Sequence, residues 1–288
     1  MRTRLLLLST LAASAALPAA AQSGRRSDTP RTQHHDDQGT TSDTRFTPAL
    51  RAGQLLAVSN IDGQITVTQG RGESATIVAH KTVRRGNGDL VKAVLEETRD
   101  GYRVCTVYLD ETDDTASCDH RNRSGNRDRQ EPLDVDMSYE VRVPAGVRLA
   151  VNSVDGDIAA HGIDTPATLR TVDGAIDFDG VAPESMNTVD GEITATITNA
   201  DWGHTLSIRS VDGAVELTLP AGISADVSGR TIDGKLDSDF PLTMTGKWGP
   251  QSFHGTIGTG RGPALDLNTV DGDIRLRSSG GTTRRDHR

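Results

Sequence analysis

Apolar and polar residues alternate in short stretches along the C-terminal half of the chain, and the alternation resumes after a fixed interruption. Leu206 and Ile208 alternate before one such interruption, and Val215 and Leu217 alternate after it. A period of two predicts strands. Within the interruption the alternation slips by one residue, and we interpret Val211 as the next inward residue. Each unit is therefore predicted to be a strand, a tight corner or bulge, and a second strand.

The interruption is itself a repeated phrase: Ser, Thr or Asn, then Val or Ile, Asp, Gly, any residue and an aliphatic residue. Its predicted corner residues are Asp62, Gly63, Asp155, Gly156, Asp173, Gly174, Asp190, Gly191, Asp212, Gly213, Asp233, Gly234, Asp271 and Gly272. With a degenerate copy at residues 253–257, the glycines from Gly156 onward lie 18, 17, 22, 21, 21 and 17 residues apart. Asp bonds nearby amides and Gly accepts a positive φ, so both suit a corner. Repeats of this length predict a solenoid.

An Asp-Gly pair is also typical of a hairpin turn, which would give a sandwich of antiparallel hairpins. The recurring slip and the period of 17–22 residues favour one coil per repeat. We therefore predict an all-β fold, a single-chain β-solenoid similar to a parallel β-helix. It has about seven short coils over residues 148–277 and a β-rich N-terminal cap with a disulfide loop over residues 46–147. Only 3% of residues are aromatic, which predicts thin layers of small aliphatic side chains.

The first 21 residues have the pattern of a secretory signal peptide. Arg2 and Arg4 precede an apolar run that is too short to span a bilayer, and three alanines end at position 21. Without these two arginines the formal charge changes from −9 to −11. Residues 22–45 are polar and are predicted to be a disordered linker, and residues 278–288 a disordered tail. The sequence thus predicts an exported, acidic protein with no transmembrane segment in the mature chain and no affinity for nucleic acid.

The only two cysteines, Cys105 and Cys118, lie 13 positions apart. In an exported protein we predict that they form a disulfide bond. A thiol–metal pair or a redox switch is the alternative, but the chain has no Cys-x-x-Cys motif.

Several phrases resemble a bacterial family of candidate adhesins with β-strand repeats. They are Tyr-Glu-Val-Arg-Val-Pro-Ala-Gly at residues 139–146, the repeated Thr-Val-Asp-Gly-x-Ile, Ser-Asp-Phe-Pro-Leu at 238–242, Lys-Trp-Gly-Pro at 247–250 and Gly-Thr-Ile-Gly at 255–258. The resemblance covers roughly residues 55–276. It implies a β-solenoid, but the family is a domain of unknown function, so it supplies no catalytic residues.

The aspartates of the corners are the first candidate site. Coils stacked in sequence order would align Asp155, Asp173, Asp190, Asp212 and Asp233, with Asp62 and Asp271 extending the row. Calcium would relieve the repulsion between these carboxylates. Alternatively each Asp caps its own turn while Arg170, Arg209 and Arg230, three residues ahead, offset the charge. The glycine-rich nonapeptide of calcium solenoids is missing. We favour turn caps and predict no metal and no cofactor.

No motif for nucleophilic, zinc or phosphate chemistry is found in the sequence, so we predict that the protein is not an enzyme. A polysaccharide lyase or hydrolase stays an alternative, although short coils leave little chain to wall a cleft. The predicted function is that of an exported, non-catalytic, adhesin-like interaction module of the envelope or cell surface, in the periplasm or outside the cell. The other alternative is a structural or stress-response envelope protein without a ligand. The predicted partner is an envelope protein or a glycan, for which Trp202 and Trp248 are the candidate stacking surfaces.

Overall fold

The structure, a computed structural model, describes residues 39–109, 115–119, 132–181, 183–199, 202–245, 250–259 and 262–280, which all belong to one compact unit. These residues contain only strands and one short 3₁₀ turn, Gly88–Leu90. The strands are β1 (Thr40–Phe46), β2 (Leu55–Ser59), β3 (Ile65–Gln69), β4 (Thr76–Arg85), β5 (Val91–Thr98), β6 (Gly101–Tyr108), β7 (Asp134–Val143), β8 (Arg148–Asn152), β9 (Ile158–Ile163), β10 (Ala167–Arg170), β11 (Ile176–Gly180), β12 (Pro183–Asn187), β13 (Ile193–Ile197), β14 (Leu206–Arg209), β15 (Val215–Pro220), β16 (Ala225–Thr231), β17 (Leu236–Ser238), β18 (Thr243–Thr245), β19 (Gln251–Ile257), β20 (Ala264–Asn268) and β21 (Ile274–Ser279).

The strands form two sheets, and each Asp-Gly corner joins a strand of one sheet to a strand of the other. The first sheet has the order β1-β4-β7-β3-β9-β11-β13-β15-β21-β17, and the second has β18-β19-β16-β20-β14-β12-β10-β8-β2-β6-β5. The strands that flank the corners pair in parallel within each sheet. Parallel pairing of successive repeats confirms the β-solenoid and excludes the sandwich of antiparallel hairpins.

The core lies between the two sheets and consists mainly of alternate residues of the strands. Ile193, Ala195 and Ile197 of β13 are buried, whereas Thr194 between them is exposed. Phe178 and Tyr139 are the largest fully buried side chains of the described residues. Most of the other core side chains are Val, Ile, Leu and Ala, which matches the low aromatic content of the sequence.

The N-terminal region extends both sheets with antiparallel strands. In the first sheet β4 pairs with β7 and with β1, and in the second sheet β5 pairs with β6. The predicted linker was therefore extended too far, because residues 40–45 lie in β1. All of them are exposed polar side chains, so no apolar alternation reveals the strand. Likewise, Ser278 and Ser279 of the predicted tail end β21.

The order of the last coils differs from the order of the sequence. The corner of Asp271 lies between those of Asp212 and Asp233, because β20 and β21 insert between the coil of β14 and β15 and the coil of β16 and β17. The degenerate repeat at residues 253–257 is not a corner. It belongs to β19, which pairs antiparallel with β16 and returns the chain to the inserted position.

Candidate functional site

The seven Asp-Gly corners stack into one continuous edge of the solenoid, which we call the Asp-Gly edge. Parallel bridges join the aspartates in the order Asp62, Asp155, Asp173, Asp190, Asp212, Asp271 and Asp233. The backbone ladder continues through each corner. The N–H of Asp190 donates to the carbonyl of Val172 at 2.8 Å, and the N–H of Gly191 donates to the carbonyl of Asp212 at 3.0 Å. The corners are thus held by the same kind of bonds as the strands.

Glycine is required at the corners because neighbouring coils approach closely there. Gly191 has a φ of +154°. A Cβ built on it would fall onto the carbonyl oxygen of Gly174 and lie 2.6 Å from the carbonyl carbon. Non-bonded contacts of this length essentially never occur for a Cβ atom, and the neighbouring atoms belong to the backbone, which cannot rotate away as a side chain can.

The Ser, Thr or Asn that opens each phrase is buried and faces inward. Thr188 is 4% exposed, and its Oγ1 donates to the carbonyl of Gly174 at 3.0 Å. Ser210 does the same to Gly191 at 3.2 Å. Thr171, Thr231 and Thr269 make the same bond, so five of the phrases tie their coil to the glycine of a neighbouring coil through a buried hydroxyl, whereas the hydroxyl of Ser153 has no partner among the described residues.

The Val or Ile that follows points outward, so our interpretation of Val211 as an inward residue is wrong. The exposed large hydrophobic side chains of the described residues all occupy this position: Val154 47%, Val172 42%, Val189 41%, Val211 44%, Ile232 41% and Val270 42%. With the half-buried Ile61 they form one straight row, which we call the aliphatic column. The side chain inside the corner is Ser210, because its hydroxyl donates to the carbonyl of Gly191 there. Val211 has no polar group that requires a partner, so its side chain lies outside.

Two polar columns border the aliphatic column. On one side lie the seven corner aspartates, which we call the aspartate column. On the other side strand register aligns the residues three positions before the aspartates, in the order Asn152, Arg170, Asn187, Arg209, Asn268 and Arg230. This arginine–asparagine column alternates between a charged and an amide side chain from one coil to the next. The Asp-Gly edge is thus acidic on one flank, apolar in the middle and partly basic on the other.

The aspartate column is exposed, and its side chains accept no hydrogen bond from any residue that the structure describes. The corner aspartates therefore do not cap their own turns as we expected. An acidic residue after the glycine instead bonds the neighbouring coil: Asp157 accepts from the N–H of Ala175 at 2.8 Å, and Asp273 accepts from that of Lys235 at 3.0 Å. Stacked carboxylates at strand spacing repel one another.

Asp62 lies at the cap end of the aspartate column, where a carboxylate of the N-terminal region also acts on it. Partial burial raises the pKa of Asp62, and the carboxylates of Asp136 and Asp155 raise it further. Among the described residues there is no group of three or more His, Cys, Asp or Glu side chains arranged to hold a metal ion.

The predicted disulfide between Cys105 and Cys118 is confirmed, with the Cα atoms 5.7 Å apart. It fastens the chain around Cys118 to the β5–β6 hairpin, where Arg103 bonds Glu96 at 2.6 Å and Asp119 at 2.8 Å. Burial would raise the pKa of Glu96, but hydrogen bonds from Arg103 and from the Cys118 backbone outweigh it and lower the pKa. A structural disulfide is typical of extracytoplasmic proteins.

The two tryptophans do not form a sugar platform in the described part of the chain. Trp202 is 3% exposed and packs in the core, so the expectation of stacking is wrong for this residue. Trp248 lies outside the described residues. An open cleft of about 760 Å³ instead lies beside the start of β2, where Arg51, Gln54, Glu73, Glu97 and Tyr102 contribute to its walls.

The chain belongs to the family described as Toastrack DUF4097, whose sequence profile matches residues 51–277. The resemblance found in the repeats is thereby confirmed. Solved structures with a similar course of the chain include a candidate cell adhesion protein from Clostridium sporogenes, at 7% identity and a TM-score of 0.44, covering 83% of this chain and 100% of that one. Another is a candidate adhesin from Bacteroides fragilis, at 10% identity and a TM-score of 0.38, covering 82% and 97%. No curated protein matches the sequence.

None of the described residues forms a helix long and apolar enough to cross a membrane.

Proposed function

We propose that this protein is an exported, non-catalytic interaction module of the cell envelope or cell surface, and that the Asp-Gly edge is its contact surface. The observation that carries the proposal is the aliphatic column. Its six exposed side chains are each more than 40% exposed and share one row. Single exposed hydrophobic residues are ordinary, but a contiguous row rimmed by charges is typical of a protein–protein contact.

The linear shape of the edge supports binding more than catalysis. A reaction needs a nucleophile, a base or a metal held in a concave site by supporting groups. The Asp-Gly edge is instead a repeated, exposed row in which the same three kinds of side chain recur at each of the six coils from Asp155 to Asp233. Such a surface suits an extended or equally periodic partner.

Export is part of the proposal and rests on two features. The first 21 residues have the sequence of a signal peptide. The Cys105–Cys118 bond agrees with an oxidising compartment.

The proposal is tested by affinity capture from envelope extracts. Val172→Glu with Val211→Glu places charges in the aliphatic column, where both side chains are exposed, so the fold is expected to survive. Thr41→Glu with Thr194→Glu, at exposed positions of β1 and β13, is the matched control because it adds the same two charges away from the edge. We expect the double variant to lose partners that the wild type and the control retain. Equal capture by all three would refute the role of the edge, and capture of nothing by any of them would favour a structural role without a ligand.

Glycan binding is a second candidate function, and the cleft beside β2 favours it. The ring of Tyr102 and the polar groups of Arg51, Gln54 and Glu73 provide stacking and hydrogen bonding in one concavity. Isothermal titration with envelope polysaccharides, compared between the wild type and Tyr102→Ala, tests this function. Release of new reducing ends or unsaturated products from uronate polymers would instead identify a lyase or hydrolase.

A further inference from the structure

We propose that the partner of the Asp-Gly edge is a second copy of the same chain, packed edge to edge with the two solenoid axes parallel. The inference rests on the proposed function, because it uses the same edge and names its occupant. Three properties of the edge lead to it: its period, the arrangement of its charges and its size.

The period of the edge excludes a simple match to common peptide ligands. Neighbouring coils are spaced by about 4.8 Å, the distance between strands. An extended peptide presents side chains on one face about every 6.8 Å, and a helix advances about 5.4 Å per turn. Neither stays in step with a row of seven corners. A second copy carries the identical row and stays in step along its whole length.

The charges select one way of pairing two edges. Across the edge the columns run from arginine–asparagine through aliphatic to aspartate. A two-fold axis parallel to the columns places the two aliphatic columns against each other and sets each aspartate column opposite the arginine–asparagine column of the other copy. A two-fold axis across the columns would set aspartate against aspartate. Only the first arrangement is complementary.

The complementarity extends to every level from the coil of Asn152 to the coil of Arg230. Arg170, Arg209 and Arg230 meet Asp173, Asp212 and Asp233 of the second copy. At the intervening levels the amides of Asn152, Asn187 and Asn268 meet Asp155, Asp190 and Asp271. Each aspartate, which has no hydrogen-bond donor among the described residues of its own chain, thereby gains one. Within one chain Arg209 contacts Asp266 at 3.2 Å, an exposed ion pair of the weak kind that exchanges readily.

The size of the edge sets the expected strength. Seven corners at strand spacing give a row of about 29 Å, and a row three side chains wide buries less than the roughly 1,200–2,000 Å² of a standard interface. We therefore expect a reversible dimer with a dissociation constant in the micromolar range.

The first experiment is a charge swap followed by sedimentation equilibrium. One variant carries Arg170→Asp, Arg209→Asp and Arg230→Asp, and the other carries Asp173→Arg, Asp212→Arg and Asp233→Arg. We expect the wild type to dimerise, each variant alone to be monomeric and the equimolar mixture to form a heterodimer, with circular dichroism confirming that both variants fold. A monomeric wild type, or a mixture that stays monomeric while the wild type dimerises, would overturn the inference.

The second experiment tests the direction of the two chains. Val154 occupies the second level of the aliphatic column and Val270 the sixth, and both native cysteines are already paired. Under mild oxidation we expect Val154→Cys to form a disulfide-linked homodimer. A mixture of Val154→Cys and Val270→Cys, carrying tags of different mass, is expected to give no mixed dimer. Mixed dimers without homodimers would indicate antiparallel edges and refute the proposed pairing.

These experiments separate the identity of the partner from the role of the edge. If the wild type is monomeric but still captures an envelope protein in a manner that Val172→Glu with Val211→Glu abolishes, the edge is a contact surface and its partner is not a second copy. If the wild type dimerises as described, the inference stands whatever the envelope extract contains.

Discussion

The close approach of neighbouring coils at the glycines makes a quantitative prediction for Gly191→Ala. The backbone at this position has a φ of +154°, a conformation whose cost for a residue with a Cβ is about 1–3 kcal/mol. The new Cβ also falls onto the carbonyl oxygen of Gly174, which accepts the hydroxyl of the buried Thr188 at 3.0 Å. Displacing Gly174 would leave that hydroxyl only its longer bond to the carbonyl of Val172 at 3.4 Å, and the loss of one hydrogen bond costs a further ~0.5–1.5 kcal/mol. Together we expect a loss of about 1.5–4.5 kcal/mol.

Thermal unfolding followed by circular dichroism measures this loss. For a domain of this size a change of about 1 kcal/mol shifts the melting temperature by about 2–4 °C, so Gly191→Ala should melt roughly 3–18 °C lower. Two further glycines serve as controls. A Cβ at Gly222 or at Gly203 meets nothing within 4 Å, but Gly222 has a φ of +81°. Gly222→Ala therefore carries only the cost of the backbone conformation, whereas Gly203→Ala carries neither cost.

We expect the melting temperatures to fall in the order Gly203→Ala, Gly222→Ala and Gly191→Ala. If Gly191→Ala melts together with Gly222→Ala, the neighbouring coil has moved aside at little cost, and the corner does not require glycine for its spacing. If all three melt with the wild type, the assignment of the corner itself is refuted.

Three further predictions follow from the described contacts. Because Cys105 and Cys118 are joined, thiol labelling of the native, unreduced protein should find no free cysteine, and labelling after reduction and unfolding should find two; reaction of both without reductant would contradict the bond. Chelator should leave the melting temperature unchanged, and a rise of several degrees with calcium that Asp190→Asn with Asp212→Asn abolishes would contradict this. Asp62→Asn should stabilise the protein at about pH 7 and lose this effect near pH 3. Because the pKa of Asp62 is raised, the folded state disfavours the charged carboxylate, and the stability that the protonated carboxyl contributes is lost as pH rises through that pKa. An equal effect at both pH values would contradict the electrostatic cause.

Strands, corners and family were predictable because they depend on local patterns that recur in the sequence. Which residue points into each corner could not be predicted in this way. A slip of one residue between Ile208 and Val215 leaves either Ser210 or Val211 inside, and hydrophobicity alone favours the valine. The outcome depends on a hydrogen bond from Ser210 to Gly191, 19 residues away, which the pattern of a single repeat does not contain.

The order of the coils was unpredictable for a related reason. The strands around Asp271 and Asp233 carry the same alternation, so either could follow the coil of Asp212. The choice depends on β19, which pairs antiparallel with β16 and brings β20 back beside β14. When several strands have the same alternation, their pairing depends on which of them the rest of the fold brings together, and the local sequence does not show this. The aliphatic column was missed with the corner, although the unvarying Val or Ile between two polar residues was a visible signal for it.

The insertion of β20 and β21 between two earlier coils determines when the fold can be completed. A solenoid that grows in sequence order adds each coil to a finished template as the chain emerges. Here the coil of β16 and β17 has no parallel neighbour until residues 264–279 arrive, since its contacts in both sheets run through β20 and β21. The final strands complete both neighbouring coils at once, so residues 225–279 must assemble in a single cooperative step rather than coil by coil.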